Sequence, residues 1–365
     1  MKIAVNLLNY YSTPKGGDES LAKNLINGFK KYKDNNIEFV YLITKHAYPK
    51  FEKYLKNQEV EIFDVAHDRI SLRLIWQLFN LNKIIPENTD IFFTPQMKLP
   101  INIKNVKTIS VFYDTQHKDL PENFSFMERR YFDYINHTSL KNSDLIIPIS
   151  QFSKNKIESF YNYNVDKEVI YPPIVVNKNI SLREETKILD KYNLKKNSYY
   201  YTISANFKHK NLKTLIDLFS KKMNKKYVIT GPLRDNREIF KNSNDKTTTV
   251  TGYITEIEKN VLLKNCRVFL FPSIYEGFGM PIVEALIFGK KIVTTKMGSI
   301  VEVSNNKAEY VNDPFDISEW KRKIMKVEKE GLSLSKHSQN YFENKFSLKK
   351  IINQYFEVFN LLHKS

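Results

Sequence analysis

Two glutamates with seven residues between them, Glu276 and Glu284, bracket a turn that has the makings of an anion site. Between them lie Gly277, Phe278, Gly279, Met280 and Pro281. Glycine lets backbone approach a ligand closely, and a helix start presents unpaired N–H groups at the positive end of a dipole. Such a turn suits a phosphate or another polar anion. The carboxylates on either side first suggest an acid/base pair, although a plain strand-to-helix turn has the same outline. A second glycine-bearing turn, Gly16-Gly17, could cradle a phosphate or sugar or simply reverse the chain. Asp114 and His117, in the run Tyr113-Asp114-Thr115-Gln116-His117, follow an apolar segment that reads as a strand. In open α/β sheets ligands bind beyond the carboxyl ends of strands. Ser150 and Ser153 have the pattern of helix N-caps.

The elements that must position these residues alternate. Lys2–Leu8 reads as a strand, Glu19–Tyr32 as a helix and Ile37–Ile43 as a strand. The apolar stripe of Leu72–Ile85 makes a helix that faces a core or lies on a membrane. Asp90–Thr94, Thr108–Phe112, Asp144–Pro148 and Val169–Ile174 read as further strands. Pro172-Pro173 and the polar run Asn177–Ser181 look like a domain junction. A second series then begins. Tyr199–Ser204, Lys226–Thr230, Thr248–Val250, Val268–Phe271 and Lys291–Thr295 read as strands, the third of them followed by the turn residues Gly252-Tyr253. Asn211–Phe219, Glu256–Asn265, Ile282–Phe288, Ile317–Lys329 and Leu348–His363 read as helices, with Pro281 expected at a first helical position and Gly289 as a stop. Regular alternation predicts two doubly wound parallel sheets.

Composition narrows the classes. A chain of 365 residues with 42% hydrophobic content suggests two domains with ample cores. No apolar run reaches the ~20 residues a membrane span needs. The segment MKIAVNLLNYY reads as a strand rather than a signal peptide. The single cysteine, Cys266, excludes a disulfide framework and points to a reducing cytoplasm. The net charge of +17 attracts polyanions: nucleic acid, anionic lipid or phosphate-bearing substrates. The lysines are scattered and no nucleic-acid-binding signature appears, so no nucleic-acid partner is expected. Neither G-x-G-x-x-G nor the P-loop lysine motif occurs, which counts against a nicotinamide dehydrogenase.

Tyr275–Pro281 with Glu284-Ala285 resembles the signature of glycosyltransferase family 4, retaining nucleotide-sugar enzymes of the GT-B fold, in which two glutamates stand in an E-x7-E spacing. The similarity runs over nearly the whole chain. Gly16-Gly17 sits at the family's N-terminal diglycine. Asp114–His117 with Pro121-Glu122 resembles its HDLQH…PE segment, and Ile149–Lys154 its SEFSK segment. Lys210-Asn211-Leu212 resembles the lysine of R…KN, and Gly298, Ser299 and Glu302 match G-S-x-x-E. Two positions depart. Tyr113 stands where the family commonly has histidine, and Ser204-Ala205-Asn206 holds no counterpart of the family arginine, a cation that Lys208 could replace.

The resemblance implies two Rossmann-like domains facing across a cleft. Residues 1–173 would bind acceptor and residues 174–345 the nucleotide sugar, with helix 346–365 returning to the first domain. It implies a retaining, hexosyltransferase-type reaction onto a hydroxyl of a glycan or lipid-linked acceptor, in surface polysaccharide synthesis. Lys210 and the Gly277, Phe278, Gly279 and Met280 backbone would face the diphosphate. Glu284 would accept from the ribose hydroxyls, and Glu276 would contact the transferred sugar. Asp114 and His117 would join Glu276 and Lys210 as catalytic residues, and Gly16 and Gly17 would bind the donor. No Asp-x-Asp triplet, the usual metal clasp of the other large glycosyltransferase fold, occurs, so neither metal nor other cofactor is expected. Expected partners are the nucleotide sugar, the acceptor and the inner face of an anionic membrane. A catalytically silent subunit, an epimerase or a phosphorylase of the same fold, and a simple polyanion binder are the competing readings.

Overall fold

The computed structural model describes residues 1–10, 16–65, 70–165, 169–205, 207–231, 247–331 and 333–365. Asn206 and Pro232 therefore lie outside the described residues. The chain divides into two compact units, Met1–Pro173 with Phe346–Ser365, and Ile174–Lys345.

In the first unit the strands are β1 (Lys2–Leu7), β2 (Glu38–Thr44), β3 (Glu59–Phe63), β4 (Ile91–Thr94), β5 (Lys107–Phe112) and β6 (Leu145–Pro148). The helices are α1 (Gly17–Lys31), α2 (Tyr48–Leu55), α3 (Ile70–Ile84), α4 (Gln116–Asp119), α5 (Phe126–Asn142) and α6 (Gln151–Tyr161). The six strands are parallel, in the order β3-β2-β1-β4-β5-β6. β4 and β6 are largely apolar and fully buried, and β1 is buried from Ile3 onward, as strands covered on both faces must be. β3 is different. Its EVEIF pattern leaves it largely uncovered at the sheet edge, where charge discourages pairing with other chains.

The second unit contains β7 (Tyr199–Ile203), β8 (Lys226–Thr230), β9 (Thr248–Gly252), β10 (Phe269–Phe271), β11 (Ile292–Thr295) and β12 (Glu309–Val311). Its helices are α7 (Leu182–Lys191), α8 (Leu212–Leu218), α9 (Glu256–Asn265), α10 (Met280–Ile287), α11 (Ile300–Ser304), α12 (Ile317–Lys329) and α13 (Lys336–Lys345). The parallel order β12-β11-β10-β7-β8-β9, read from β9, repeats that of the first sheet. Tyr200, Leu215, Phe219, Tyr227 and Trp320 form a core on one face of it. Both units are thus doubly wound Rossmann-like domains, as the alternation of elements predicts. Each sheet reverses its order once, between β1 and β4 and between β7 and β10, and ligands bind beyond strand ends at such points.

The last helix, α14 (Leu348–Lys364), packs within the first unit. Its Tyr355, Phe356 and Phe359 form an aromatic cluster with Phe29, Phe39 and Phe93. α3 divides its apolar residues between two faces. Leu81 and Trp76 join a core with Phe92, while Leu72, Ile75 and Phe79 are exposed.

One predicted strand is absent. Val169–Ile174 forms no strand: Ile170 N donates to Pro148 O at the end of β6, at 3.2 Å, but Pro172 and Pro173 have no N–H to continue a ladder.

Candidate functional site

The turn after β10 is held from three directions. Thr202 Oγ1 donates to Leu270 O and Thr294 Oγ1 to Phe271 O, both at 2.7 Å, and Thr295 Oγ1 donates to Ser273 O at 2.5 Å. Three threonines from the flanking strands thereby satisfy carbonyls where the β10 chain leaves the sheet. The loop then meets the short helical turn Lys208–Lys210. Ile274 N donates to His209 O at 2.8 Å, and Ser273 Oγ donates to the same oxygen at 3.2 Å. These bonds join the two loops that leave β7 and β10, the strands on either side of the reversal.

Their consequence is a charge pair. Lys210 Nζ lies 2.6 Å from Glu276 Oε1, with both side chains largely buried, and its ammonium stands 5.9 Å from the centre of the Phe271 ring. Glu276 is also fixed through its backbone. Ser299 N and Oγ both donate to Glu276 O, at 3.1 and 3.2 Å. Gly298 makes this approach possible. Its φ is +64°, and a Cβ there would stand 2.3 Å from Glu276 O. The sequence marks Gly298 and Ser299 only as residues after the signature; the structure makes them the clamp on Glu276.

α10 begins at Met280, with Gly279 in the left-handed region (φ +86°) as its N-cap and Pro281 second in the helix rather than first. Position two suits proline for the same reason as position one, since its absent N–H needs no partner in the first turn. Gly289 (φ +74°) ends the helix. Its N–H bonds Leu286 O and that of Lys290 bonds Ala285 O, both at 2.9 Å. Glu284 is the one acidic residue in an otherwise apolar helix that is buried from Ile282 to Ile287. Its partner was not evident in the sequence. Lys259 of α9 places Nζ 2.8 Å from Glu284 Oε1 and 2.8 Å from Glu256 Oε2. Burial pushes the Glu284 carboxyl upward and Lys259 pulls it back. Burial alone would lower Lys259, but Glu284 and Glu256 outweigh it and hold the ammonium charged. His209, beside Lys210, is pushed down to about 3 by burial and by that cation, so it is neutral.

The second unit therefore brings Lys210, Glu276 and the Gly277–Met280 turn together and sets Glu284 one turn into α10. The first unit treats its candidates differently. Gly16 (φ +98°) is the N-cap of α1 and Gly17 its first residue, both exposed with open space around them. Asp18 follows, its Oδ2 accepting from Gln96 Nε2 at 2.7 Å across the β1/β4 reversal. Burial lifts the Asp18 carboxyl. Asp114 is half-buried, and its Oδ1 accepts from Gln116 N at 3.0 Å, which starts α4. His117 turns into the unit's interior. Its Nε2 lies 3.2 Å from Asp133 Oδ1 of α5 and 3.3 Å from Tyr161 OH of α6. Burial lowers His117, although Asp133 pulls it the other way. Tyr113 donates to Pro95 O at 2.8 Å. Ser150 caps α6, accepting from Ser153 N at 3.0 Å.

The two Rossmann-like units have the architecture of the GT-B fold. The family model for glycosyl transferases group 1 matches residues 184–345, nearly all of the second unit. Over that span the chain is similar to the group 1 glycosyl transferases. It is 24% identical over 271 residues to O-antigen chain mannosyltransferase B of Escherichia coli, covering 71% of this chain and 68% of that one. It is 26% identical over 217 residues to O-antigen chain mannosyltransferase RfbU of Salmonella typhimurium, covering 56% of each. Among solved structures, Anabaena Alr3699/HepE in complex with UDP-glucose superposes with a TM-score of 0.74 at 18% identity, over 99% of both chains. WaaG, a glycosyltransferase involved in lipopolysaccharide biosynthesis, gives 0.65 at 13%, over 96% of this chain and 95% of that one. Among the described residues no helix is long and apolar enough to cross a membrane.

Proposed function

We propose that the protein transfers a hexose, with retention of anomeric configuration, from a nucleotide-diphosphate sugar to a hydroxyl of a glycan or lipid-linked acceptor during surface polysaccharide assembly. The observation that carries this reading is the Lys210–Glu276 pair, seated at the sheet reversal beside the start of α10. The mannosyltransferase relatives favour mannose as the sugar.

The transfer breaks the bond between the anomeric carbon and the β-phosphate oxygen, and negative charge grows on the leaving diphosphate. Fixed positive ends aimed there lower the barrier. Lys210 supplies a full charge and the α10 N-terminus a dipole contact of about 0.3–1 kcal/mol, up to about 2 when partly buried. Glu276 accepts from hydroxyls of the transferred sugar and holds Lys210 in place. Glu284 accepts from the ribose hydroxyls, a task suited to the two oxygens of a carboxylate. No nucleophile is assigned. The acceptor oxygen attacks from the face the phosphate leaves, and its proton goes to the departing phosphate. The reaction needs no metal, because Lys210 and the dipole meet the phosphate charge. Asp114, His117 and the Gly16-Gly17 turn belong to the acceptor unit; His117, bonded to Asp133 and Tyr161, shapes it rather than reacting. The net charge of +17 suits a phosphate-bearing acceptor at an anionic inner membrane face.

Initial rates with guanosine, uridine and deoxythymidine diphosphate sugars test the proposal. Glu276→Ala is expected to lower kcat about a hundredfold, the scale of a misplaced reacting centre. Glu284→Ala should mainly raise the donor KM. Turnover should survive excess EDTA, and the product should carry an α-linkage. Wild-type kinetics in both variants would sink the site assignment, and strict metal dependence would contradict the mechanism.

A further inference from the structure

Lys259 stands where a cation is poorly favoured twice over. It lies near the start of α9, whose dipole is positive at that end, and its side chain is only 15% exposed. Lysine is seldom buried unless paired. A buried pair is also a weak device for stability, since well-packed apolar groups of similar volume often do as well. Here an apolar pair would have been easy, because Glu284 is surrounded on its own helix by Ile282, Val283, Ala285, Leu286 and Ile287. The pair must therefore serve Glu284 in some way that packing cannot.

The geometry indicates how. Lys259 Nζ engages one oxygen of Glu284, Oε1, at 2.8 Å, and a second carboxylate, Glu256, at 2.8 Å. Glu256 is exposed, with 71% of its side chain accessible, so it holds the ammonium from the solvent side while Glu284 lies inside. The charged groups facing Glu284 are these two residues of α9, with Tyr201 of β7 close enough to feel its charge. A carboxyl buried among aliphatic side chains tends to take up a proton, and then one of its oxygens donates instead of accepting. Lys259 opposes that tendency and fixes the rotamer by a directed, charge-assisted bond at 2.8 Å.

We propose that Lys259 is a positioning residue for the donor nucleotide: it holds Glu284 as the two-oxygen acceptor that reads the ribose hydroxyl pair. This inference rests on the assignment of Glu284 to the ribose made above. Lys259 itself need not touch the donor. Its effect is seen only through hydroxyls that Glu284 can bind.

That dependence gives the test. Calorimetric titrations of GDP and UDP, each beside its 2′,3′-dideoxy counterpart, are compared in wild-type protein, Lys259→Met and Lys259→Arg. Wild-type protein should bind the ribonucleotide more tightly than the dideoxy form. Lys259→Met should weaken the ribonucleotide about tenfold and leave the dideoxy form within twofold, while Lys259→Arg should recover most of the loss. If Lys259→Met does not fold, Lys259→Leu, which also removes the donor, carries the same comparison. Equal weakening of both nucleotides, or none of either, overturns the role of Lys259 and leaves the ribose assignment standing. Wild-type protein that binds both forms equally overturns the ribose assignment and this inference with it. Failure to bind any nucleotide overturns the donor reading itself.

Discussion

Gly298→Ala tests whether catalysis depends on the backbone position of Glu276. Alanine would place its Cβ 2.3 Å from Glu276 O and 2.8 Å from Glu276 N, where real Cβ atoms essentially never come closer than 3.0 Å. The Glu276 peptide would have to retreat by roughly 0.7 Å to reach that limit and about 1.1 Å to reach ordinary contact, and an ångström of misplacement can cost on the order of a hundredfold in rate. The same retreat stretches the two hydrogen bonds from Ser299, each worth about 1 kcal/mol. Holding alanine at φ +64° adds about 1–2 kcal/mol. A loss of about 2–4 kcal/mol corresponds to roughly 4–16 °C in Tm for a domain of this size. Initial rates over a donor titration and a thermal melt measure both quantities. Gly331→Ala is the control, because that residue has a φ of +96° but open space around it. It should lose a little stability and no activity. A Gly298→Ala enzyme with wild-type kcat, or one no worse than Gly331→Ala, would refute the clamp.

Two further outcomes follow from the charges around Lys210. Lys210→Met leaves Glu276 largely buried without its cation, and is expected to lower kcat about a hundredfold or more while Lys210→Arg retains part of it; equal kcat in all three proteins would show that the pair is incidental. His209, neutral because burial and Lys210 depress it to about 3, contributes stability that is whole above its unfolded pKa near 6.5 and is lost as pH falls toward the folded value. His209→Gln should therefore flatten the decline in Tm between pH 7.5 and pH 5, and an unchanged decline would show that other groups set the acid limb.

The sequence carried the architecture because both sheets are built of buried, β-branched and aromatic runs that stand out from the helices between them. β10 and β11 are read directly from Phe269–Phe271 and Ile292–Thr295. What escaped has physical causes. β3 alternates charge with apolar residues at an edge, so it lacks the apolar run of an interior strand. α5, with Arg129, Arg130, Asp133 and Asn136 among its aromatics, carries no clean apolar stripe. Val169–Ile174 has strand-like composition, yet two prolines deny it a ladder. At the site, residue types and spacing pointed to Glu276, Glu284 and Lys210 one by one. The Lys210–Glu276 and Lys259–Glu284 pairs join positions 66 and 25 residues apart, a relation only the sheet order reveals. Nothing in the spacing of His117 indicated that Asp133 and Tyr161 would claim its ring.

The aromatic seam between α1 and α14 also bears on how the protein is made. Phe29 and Phe93 are laid down early in synthesis, but the rings that cover them, Tyr355 and Phe359, emerge only after the whole of the second unit has been translated. At ~5–20 residues per second, the roughly 260 residues from Phe93 to Tyr355 keep that face open for on the order of 10–50 s. Throughout that interval the nascent first unit shows an oily groove to the cell, one that a chaperone would be expected to shelter and that the chain itself closes last.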